Sequence, residues 1–190
     1  MNLKLIRKEI EKVLPIVEDQ FADFAKMLSV VRLDKGAHWE KEGKIAAHLG
    51  FVNTGILRKY VQKEGNEFIE RFYVSGDFLG DYESFKFNSF SSSNVEVVAA
   101  CELLTLPFER LDCLMGLSKN IDLLAQHVKH KKMHELNRRY TSLLRDSPEE
   151  RYQGLLVKNP DLIKNVPQYY IAQYLGVTPE TLSRIKKRVY

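Results

Sequence analysis

The chain is poor in the residues that define several whole classes of function. Cysteine occurs twice, at Cys101 and Cys113, twelve residues apart. Two thiols make no disulfide framework, and this spacing fits neither a CxxC redox pair nor a four-thiolate zinc or iron–sulfur site. Both are therefore read as reduced and inert. No run of 18 apolar residues occurs, so no membrane-spanning helix is expected. The amino terminus, Met1-Asn2-Leu3-Lys4-Leu5-Ile6-Arg7-Lys8, soon becomes charged and lacks the apolar stretch and small-residue cleavage site of a secretory leader. A cytoplasmic location is the expectation. Catalytic signatures are missing too: there is no GxSxG elbow, P-loop or HExxH sequence. A barrel enzyme of the cupin type needs closely spaced histidines, and Gly36-Ala37-His38-Trp39-Glu40 with the distant His48 offers no HxH pair. The chain is read as a non-enzyme.

What is present is an uneven charge. The 190 residues are 44% hydrophobic, enough to bury a core in one domain or two small ones, and the net charge is a mild +4. Residues 1–115 carry 15 Lys and Arg against 18 Asp and Glu, whereas residues 116–190 carry 14 against 7. A slightly acidic first part joined to a basic second part implies two modules, the second facing a polyanion.

The pattern along the chain follows that division. Residues 2–30 have helical spacing (Leu3, Ile6, Ile10, Val13, then Phe21, Phe24, Ala25, Leu28), broken near Pro15. From about residue 31 to 106, short stretches rich in Val, Ile, Phe and Tyr alternate with turns at Lys35-Gly36, Lys63-Glu64-Gly65-Asn66 and Ser75-Gly76-Asp77. Strands at this spacing predict a β-sandwich or small barrel, and hence an α+β chain. After Pro107 the spacing is helical again. No Gly or Pro interrupts Lys119 to Arg145, where Ile121, Leu124, Ala125, Val128, Met133, Leu136, Leu143 and Leu144 form an apolar stripe. A helix of this length runs on the order of 38 Å, longer than a small domain needs for its own core. Its spare face is expected to pair with a second copy; the plainer alternative is packing within one chain. His127, His130 and His134 fall at i, i+3 and i+7 on it, a spacing open to metal or haem ligation and equally to polar positions on a half-exposed helix. No metal is assigned. Asp146-Ser147-Pro148-Glu149-Glu150 then stops the helix and starts another, with Ser147 as cap and Pro148 in the first turn.

The segment "IAQYLGVTPETLSRIKKR", residues 171–188, reads as two helices meeting at Gly176. Thr178-Pro179-Glu180 opens the second with a cap, a proline at the first helical position and an early acid. Leu182, Ile185 and Val189 share one side, to be met by Ala172, Leu175 and Val177. At 100° per residue, Arg184 and Lys187 lie within about 40° of Glu180, with Ser183 and Arg188 flanking. A small residue, three more, a glycine and then a capped helix with apolar positions six and nine beyond the glycine describe a helix-turn-helix, whose outer face would read base edges and grip phosphates.

In order, a strand-rich sensor, a long helix and this terminal motif resemble the cyclic-AMP receptor protein and fumarate–nitrate reductase regulator (Crp/Fnr) family of bacterial transcription factors, close to the short regulators of Bacteroidetes-like bacteria. The resemblance covers nearly the whole chain. It implies a cyclic-nucleotide-binding-like β-barrel (double-stranded β-helix) over residues 1–115, a dimerisation helix over 116–146 and a helix-turn-helix domain over 147–190. It further implies a homodimer on double-stranded DNA, with RNA polymerase as a partner. The recognition helix would run from about Pro179 to Arg188. Glu180 would accept from a cytosine amine and Arg184 donate to guanine. Pro179 stands where the family usually has a third reader, an arginine, so the best-known operator sequence does not transfer. Thr178, Thr181, Ser183, Lys187 and Arg188, with Gln168 and Tyr169 of the first helix, would mainly contact phosphates.

In the sensor half, Gly76-Asp77-Phe78-Leu79-Gly80-Asp81-Tyr82 resembles the start of the family's phosphate-binding cassette, with Asp81 in the place of the acid that holds a ribose hydroxyl. The cassette should continue with an arginine and a small hydroxyl residue, but Phe90-Ser91-Ser92-Ser93 has Ser91 for the arginine, while Ser92 fits the hydroxyl. A cyclic phosphate buried there would lack its charge-assisted bidentate partner. The expected effector pocket, Gly80, Asp81, Tyr82, Ser91 and Ser92, is thus read as one that does not use cyclic AMP and that serves an unknown small molecule or none; Lys86 is an alternative source of a cation. The competing reading, a nucleotide-binding sensor or adaptor without DNA binding, would need that cassette intact and would not need the terminal helix.

Overall fold

The computed structural model describes residues 2–15 and 18–189. Two amphipathic helices come first, α1 (Lys4–Glu11) and α2 (Glu18–Lys26), on either side of Pro15. The strands β1 (Ser29–Leu33), β2 (His38–Glu40), β3 (His48–Lys63), β4 (Asn66–Tyr73) and β5 (Phe78–Leu79) follow, then the short helix α3 (Tyr82–Lys86) and the strand β6 (Asn94–Pro107). The remainder is helical: α4 (Phe108–Leu117), α5 (Lys119–Arg145), α6 (Pro148–Lys158), α7 (Pro160–Asn165), α8 (Gln168–Leu175) and α9 (Pro179–Val189).

The strands form one six-stranded sheet in the order β1-β6-β3-β4, with β2 also on β6 and β5 also on β3. The long β6 pairs with β3 and also, antiparallel, with β1 and β2. Ser29–Leu33 pairs with residues 101–105, while His38 lies opposite Glu96. Alternation of β-branched and aromatic residues sends Val52, Leu57, Leu79, Val95, Val97 and Leu103 into a core that Trp39 partly closes. Arg58 is buried with them, and its Nε donates to a Glu96 carboxylate oxygen at 2.8 Å. This bond offsets the desolvation of the guanidinium.

The stretch Gly50-Phe51-Val52 and the stretch from Gly55 to Val61 belong to one strand, β3. Gly55 is no turn. It holds φ +102°, and a Cβ there would come within 2.4 Å of Cys101 Cβ, so the glycine lets β3 approach β6. The Lys63-Glu64-Gly65-Asn66 turn is as expected: Glu64 and Gly65 both take positive φ, the signature of a two-residue hairpin loop.

Cα packing divides the chain into two compact units. One holds residues up to Lys59 together with Phe72–His130; the other holds Tyr60–Arg71 with residues from Lys131 onward. In the first, α1 and α2 bury Ile6, Ile10 and Phe21 against Phe51 and Leu104, while α4 buries Phe108 and Leu111. In the second, Tyr152, Leu162, Ile171, Leu175, Leu182 and Ile185 are buried. Ser147 starts α6 with a complete capping box, its Oγ accepting from Glu150 N–H at 3.3 Å and its own N–H donating to the Glu150 carboxylate at 2.7 Å. No residue of the 27-residue α5 is buried, and Leu136 and Leu144 are 58% and 70% exposed. Among the described residues no helix is long and apolar enough to cross a membrane.

Candidate nucleic-acid interface

The carboxyl-terminal helix pair is built by local rules. Gly176 takes the left-handed conformation, with φ +68°, and donates to Gln173 O, while Val177 N–H reaches back to Ala172 O at 3.0 Å. These two bonds make a Schellman ending, which turns the chain sharply and satisfies the last carbonyls of α8. Ala172 is fully enclosed, its small side chain allowing α9 to cross closely. Thr178 Oγ1 accepts from Thr181 N–H at 3.2 Å and caps α9. Leu182 and Ile185 are buried beneath.

The opposite face is open. Glu180, Ser183, Arg184, Lys187 and Arg188 are exposed, and Thr181 is half-buried. Hydrogen bonds from its own backbone N–H and from the Thr178 hydroxyl hold the Glu180 carboxyl below the usual carboxylate range. Its charge sits on the positive end of α9. Neither Arg184 nor Lys187 forms an ion pair among the described residues, whereas Arg188 lies 3.8 Å from Glu149. Pro179 opens α9 and, with no side-chain donor, contributes shape alone.

Of the two expected contacts on α8, Gln168 is bonded to α9. Lys186 Nζ donates to Gln168 Oε1 at 3.1 Å, and Gln168 Nε2 donates to Ile163 O at 3.3 Å. The amide is thereby oriented between the two helices. Tyr169 is exposed, its ring 4.0 Å from that of Tyr170. Sequence reasoning passed over Lys186. Its only signal was its place beside Lys187, at the angle where the two helices meet.

Four of the five sensor residues, Gly80, Asp81, Tyr82 and Ser91, make structural contacts. At Gly80 the φ is +134°, and a Cβ would come 2.8 Å from both His48 O and Phe108 Cζ. Asp81 N–H donates to Glu40 Oε1 at 2.9 Å, and Asp81 Oδ1 accepts from Ser84 N–H at 3.0 Å, capping α3. Tyr82 donates its hydroxyl proton to Asp112. Lys86 reaches both oxygens of the same carboxylate at 2.9 and 3.0 Å. The bonds from Lys86 and then Tyr82 hold Asp112 below the usual carboxylate range. Lys86 is thus paired with Asp112 of α4. Ser91 is buried, with Oγ donating to Ser93 O at 3.3 Å, and Ser92 is exposed.

Of these five, only Ser91 lines the nearby cleft of about 280 Å³, whose walls are His38, Trp39, Glu40, Lys41, Lys44 and residues 45–48. Trp39 packs edge-on to His48, with ring centres 6.2 Å apart. Its indole Nε1 is buried and has no hydrogen-bond partner among the described residues. Among the described residues, no three His, Cys, Asp or Glu side chains come together as a metal site. His127 and His134 are exposed on α5.

Comparison with known proteins follows the same division. Residues 30–116 match the model of the cyclic nucleotide-binding domain. Comparison with curated protein sequences gave no significant match. Among solved structures, FixK2 from Bradyrhizobium japonicum superposes with a TM-score of 0.75 at 17% identity, covering 85% of this chain and 84% of its own. A regulator of the Crp/Fnr family from Eubacterium rectale gives 0.70 at 16% identity, over 91% and 83% of the two chains. The c-di-GMP responsive regulator CLP from Xanthomonas campestris gives 0.69 at 18% identity, over 89% of each. At these identities the likeness is one of fold. The sequence match over residues 30–116 adds a likeness to the cyclic nucleotide-binding domain over that part of the chain.

Proposed function

We propose that the chain is a homodimeric, sequence-specific DNA-binding transcription regulator. The observation that carries this reading is α9: a capped helix set by the Gly176 turn, anchored by Leu182 and Ile185, with Arg184 and Lys187 exposed and free of ion pairs. Unneutralised cations on a rigid helix face suit phosphate and guanine contacts. Residues 1–115 act as the sensor, 116–146 as the dimerisation helix and 147–190 as the DNA-binding domain. The exposed apolar residues of α5, Met133, Leu136, Tyr140, Leu143 and Leu144, supply the surface for a second copy. Two recognition helices about 34 Å apart then enter successive major grooves of a roughly palindromic operator. Glu180 and Arg184 read bases, while Lys187, Arg188, Thr178, Thr181, Ser183, Gln168 and Tyr169 fix the register on phosphates. The protein works in the bacterial cytoplasm, with RNA polymerase as the downstream partner.

Cyclic AMP is not the effector in this reading. No arginine stands at Ser91, and Lys86 is neutralised by Asp112. The test is selection of genomic DNA fragments by the purified protein at physiological salt. Recovery of a palindromic motif is expected; recovery of unspecific DNA alone, with and without cell-extract metabolites, refutes the reading.

A further inference from the structure

We propose that the cleft between β2 and residues 41–48 binds a small organic anion, a carboxylate carried on a single aromatic ring or a branched apolar group. The inference rests on the regulator reading and names the effector class of its sensor half. The volume, about 280 Å³, lies just under the roughly 300 Å³ at which drug-sized pockets begin, so it has room for one ring and its carboxylate rather than a nucleotide pair.

The cleft is preformed. Gly43 N–H donates to Ser91 O and Ser91 N–H to Lys44 O, both at 2.9 Å, while Ala46 N–H donates to Ser84 Oγ at 3.1 Å. The loop is thereby laced to α3 and to the start of β6, and a ligand need not order it first.

Its charge is the second argument. Several other cations of this unit are paired, Arg32 with Glu102, Arg58 with Glu96 and Lys86 with Asp112. Lys41 and Lys44 form no ion pair among the described residues. The one acid in the lining, Glu40, already accepts the Asp81 N–H. Two lysines against one carboxylate leave the lining with a net positive charge. Beneath them the Trp39 indole, Ile45, Ala46 and Ala47 give an apolar wall, which selects an anion with an apolar body over inorganic phosphate. The indole N–H, buried and without a partner among the described residues, is the donor assigned to the carboxylate.

Trp39 is the sole tryptophan of the chain, so its fluorescence reports on this cleft. The full-length protein is titrated with benzoate, with the neutral isostere benzamide and with inorganic phosphate. A saturable change with benzoate alone is expected, together with a loss of affinity of about tenfold or more in the Lys41→Met/Lys44→Met double variant. Absence of a saturable benzoate response up to about 10 mM overturns the proposal. So does an equal response to benzamide or phosphate, or unchanged affinity in the double variant. Fragment selection with the same preparation separates the two readings: a recovered palindrome without benzoate binding leaves the regulator standing and removes the cleft.

Discussion

The guanidinium of Arg139 in α5 lies 3.8 Å from the ring centre of Tyr174 in α8. Its Nη2 donates to the Ile69 carbonyl of β4 at 3.0 Å. One side chain thus joins the β3–β4 hairpin, the long helix and the first helix of the DNA-binding pair, all within the second compact unit. Arg71 to Glu135, at 3.0 Å, ties the same hairpin to α5. Burial pulls the Arg139 guanidinium below its usual pKa; it stays charged at neutral pH, and the ring face stabilises that charge in a partly desolvated place.

This geometry predicts measurable coupling. In a double-mutant cycle of Arg139→Met and Tyr174→Leu, followed by urea unfolding, an interaction of about 0.5–2 kcal/mol is expected. Additive single effects would show that the stacking contributes nothing.

Glycine substitutions separate two kinds of constraint. Gly176→Ala meets only Leu143 Cδ2 at an ordinary 3.8 Å, so its cost is the left-handed φ, about 1–2 kcal/mol. Gly55→Ala also drives a Cβ to 2.6 Å from Ala100 O, adding overpacking to strain, for about 2–6 kcal/mol together. Equal midpoint losses for the two variants in denaturant would contradict this account.

The legible parts of the sequence were those governed by local rules. Pro15, Pro148 and Gly176 punctuate helices, and their effects are set within a few residues. The Lys119–Arg145 helix was readable because nothing interrupts it. The role of Gly55 was not, since it depends on Cys101, 46 positions away. The sensor was hidden for the same reason. The engagement of Lys86 with Asp112, and the cleft formed by Lys41, Lys44 and Ser91, arise from tertiary approach and leave no periodic trace. On α9 the outer face followed from helical geometry, whereas the Lys186 to Gln168 bond needed the crossing of two helices.

The two thiols should differ in reactivity. Cys101 is buried, and burial pushes its pKa up to about 11, whereas Cys113 is exposed. Only thiolate attacks, so native protein at about pH 8 should take up one equivalent of a maleimide, at Cys113, with Cys101 labelled only after unfolding. Mass spectrometry of the labelled peptides decides it.

Asp112 gives a pH dependence of known sign. Its folded pKa is depressed, so the stability it contributes is present above the unfolded carboxylate value of about 3.9 and is lost as pH falls through the lower folded value. Tyr82 acts at the other end: its raised pKa, caused first by burial and then by the bond to Asp112, adds stability that persists below about pH 10 and is lost as pH rises through the folded value. Asp112→Asn should therefore flatten the acid limb of a stability–pH profile below about pH 5 and weaken its alkaline limb. A variant whose profile parallels the parent at both ends would remove Asp112 from the account.

The two cations at the centre of the α9 face carry different tasks in the proposed mechanism. Arg184 stands one turn beyond Glu180, where a planar fork meets a guanine edge, so Arg184→Ala should lose about 1–3 kcal/mol at one base step of each half-site and little on unspecific DNA. Lys187 offers only a point charge. Lys187→Ala should weaken all sequences alike and lower the slope of log affinity against log salt by about one unit per half-site. Titrations of operator and scrambled duplexes at several salt concentrations measure both quantities. A salt slope unchanged by Lys187→Ala would take that lysine off the phosphates; a uniform loss with Arg184→Ala would reassign the arginine to the backbone and leave base reading on this face to Glu180.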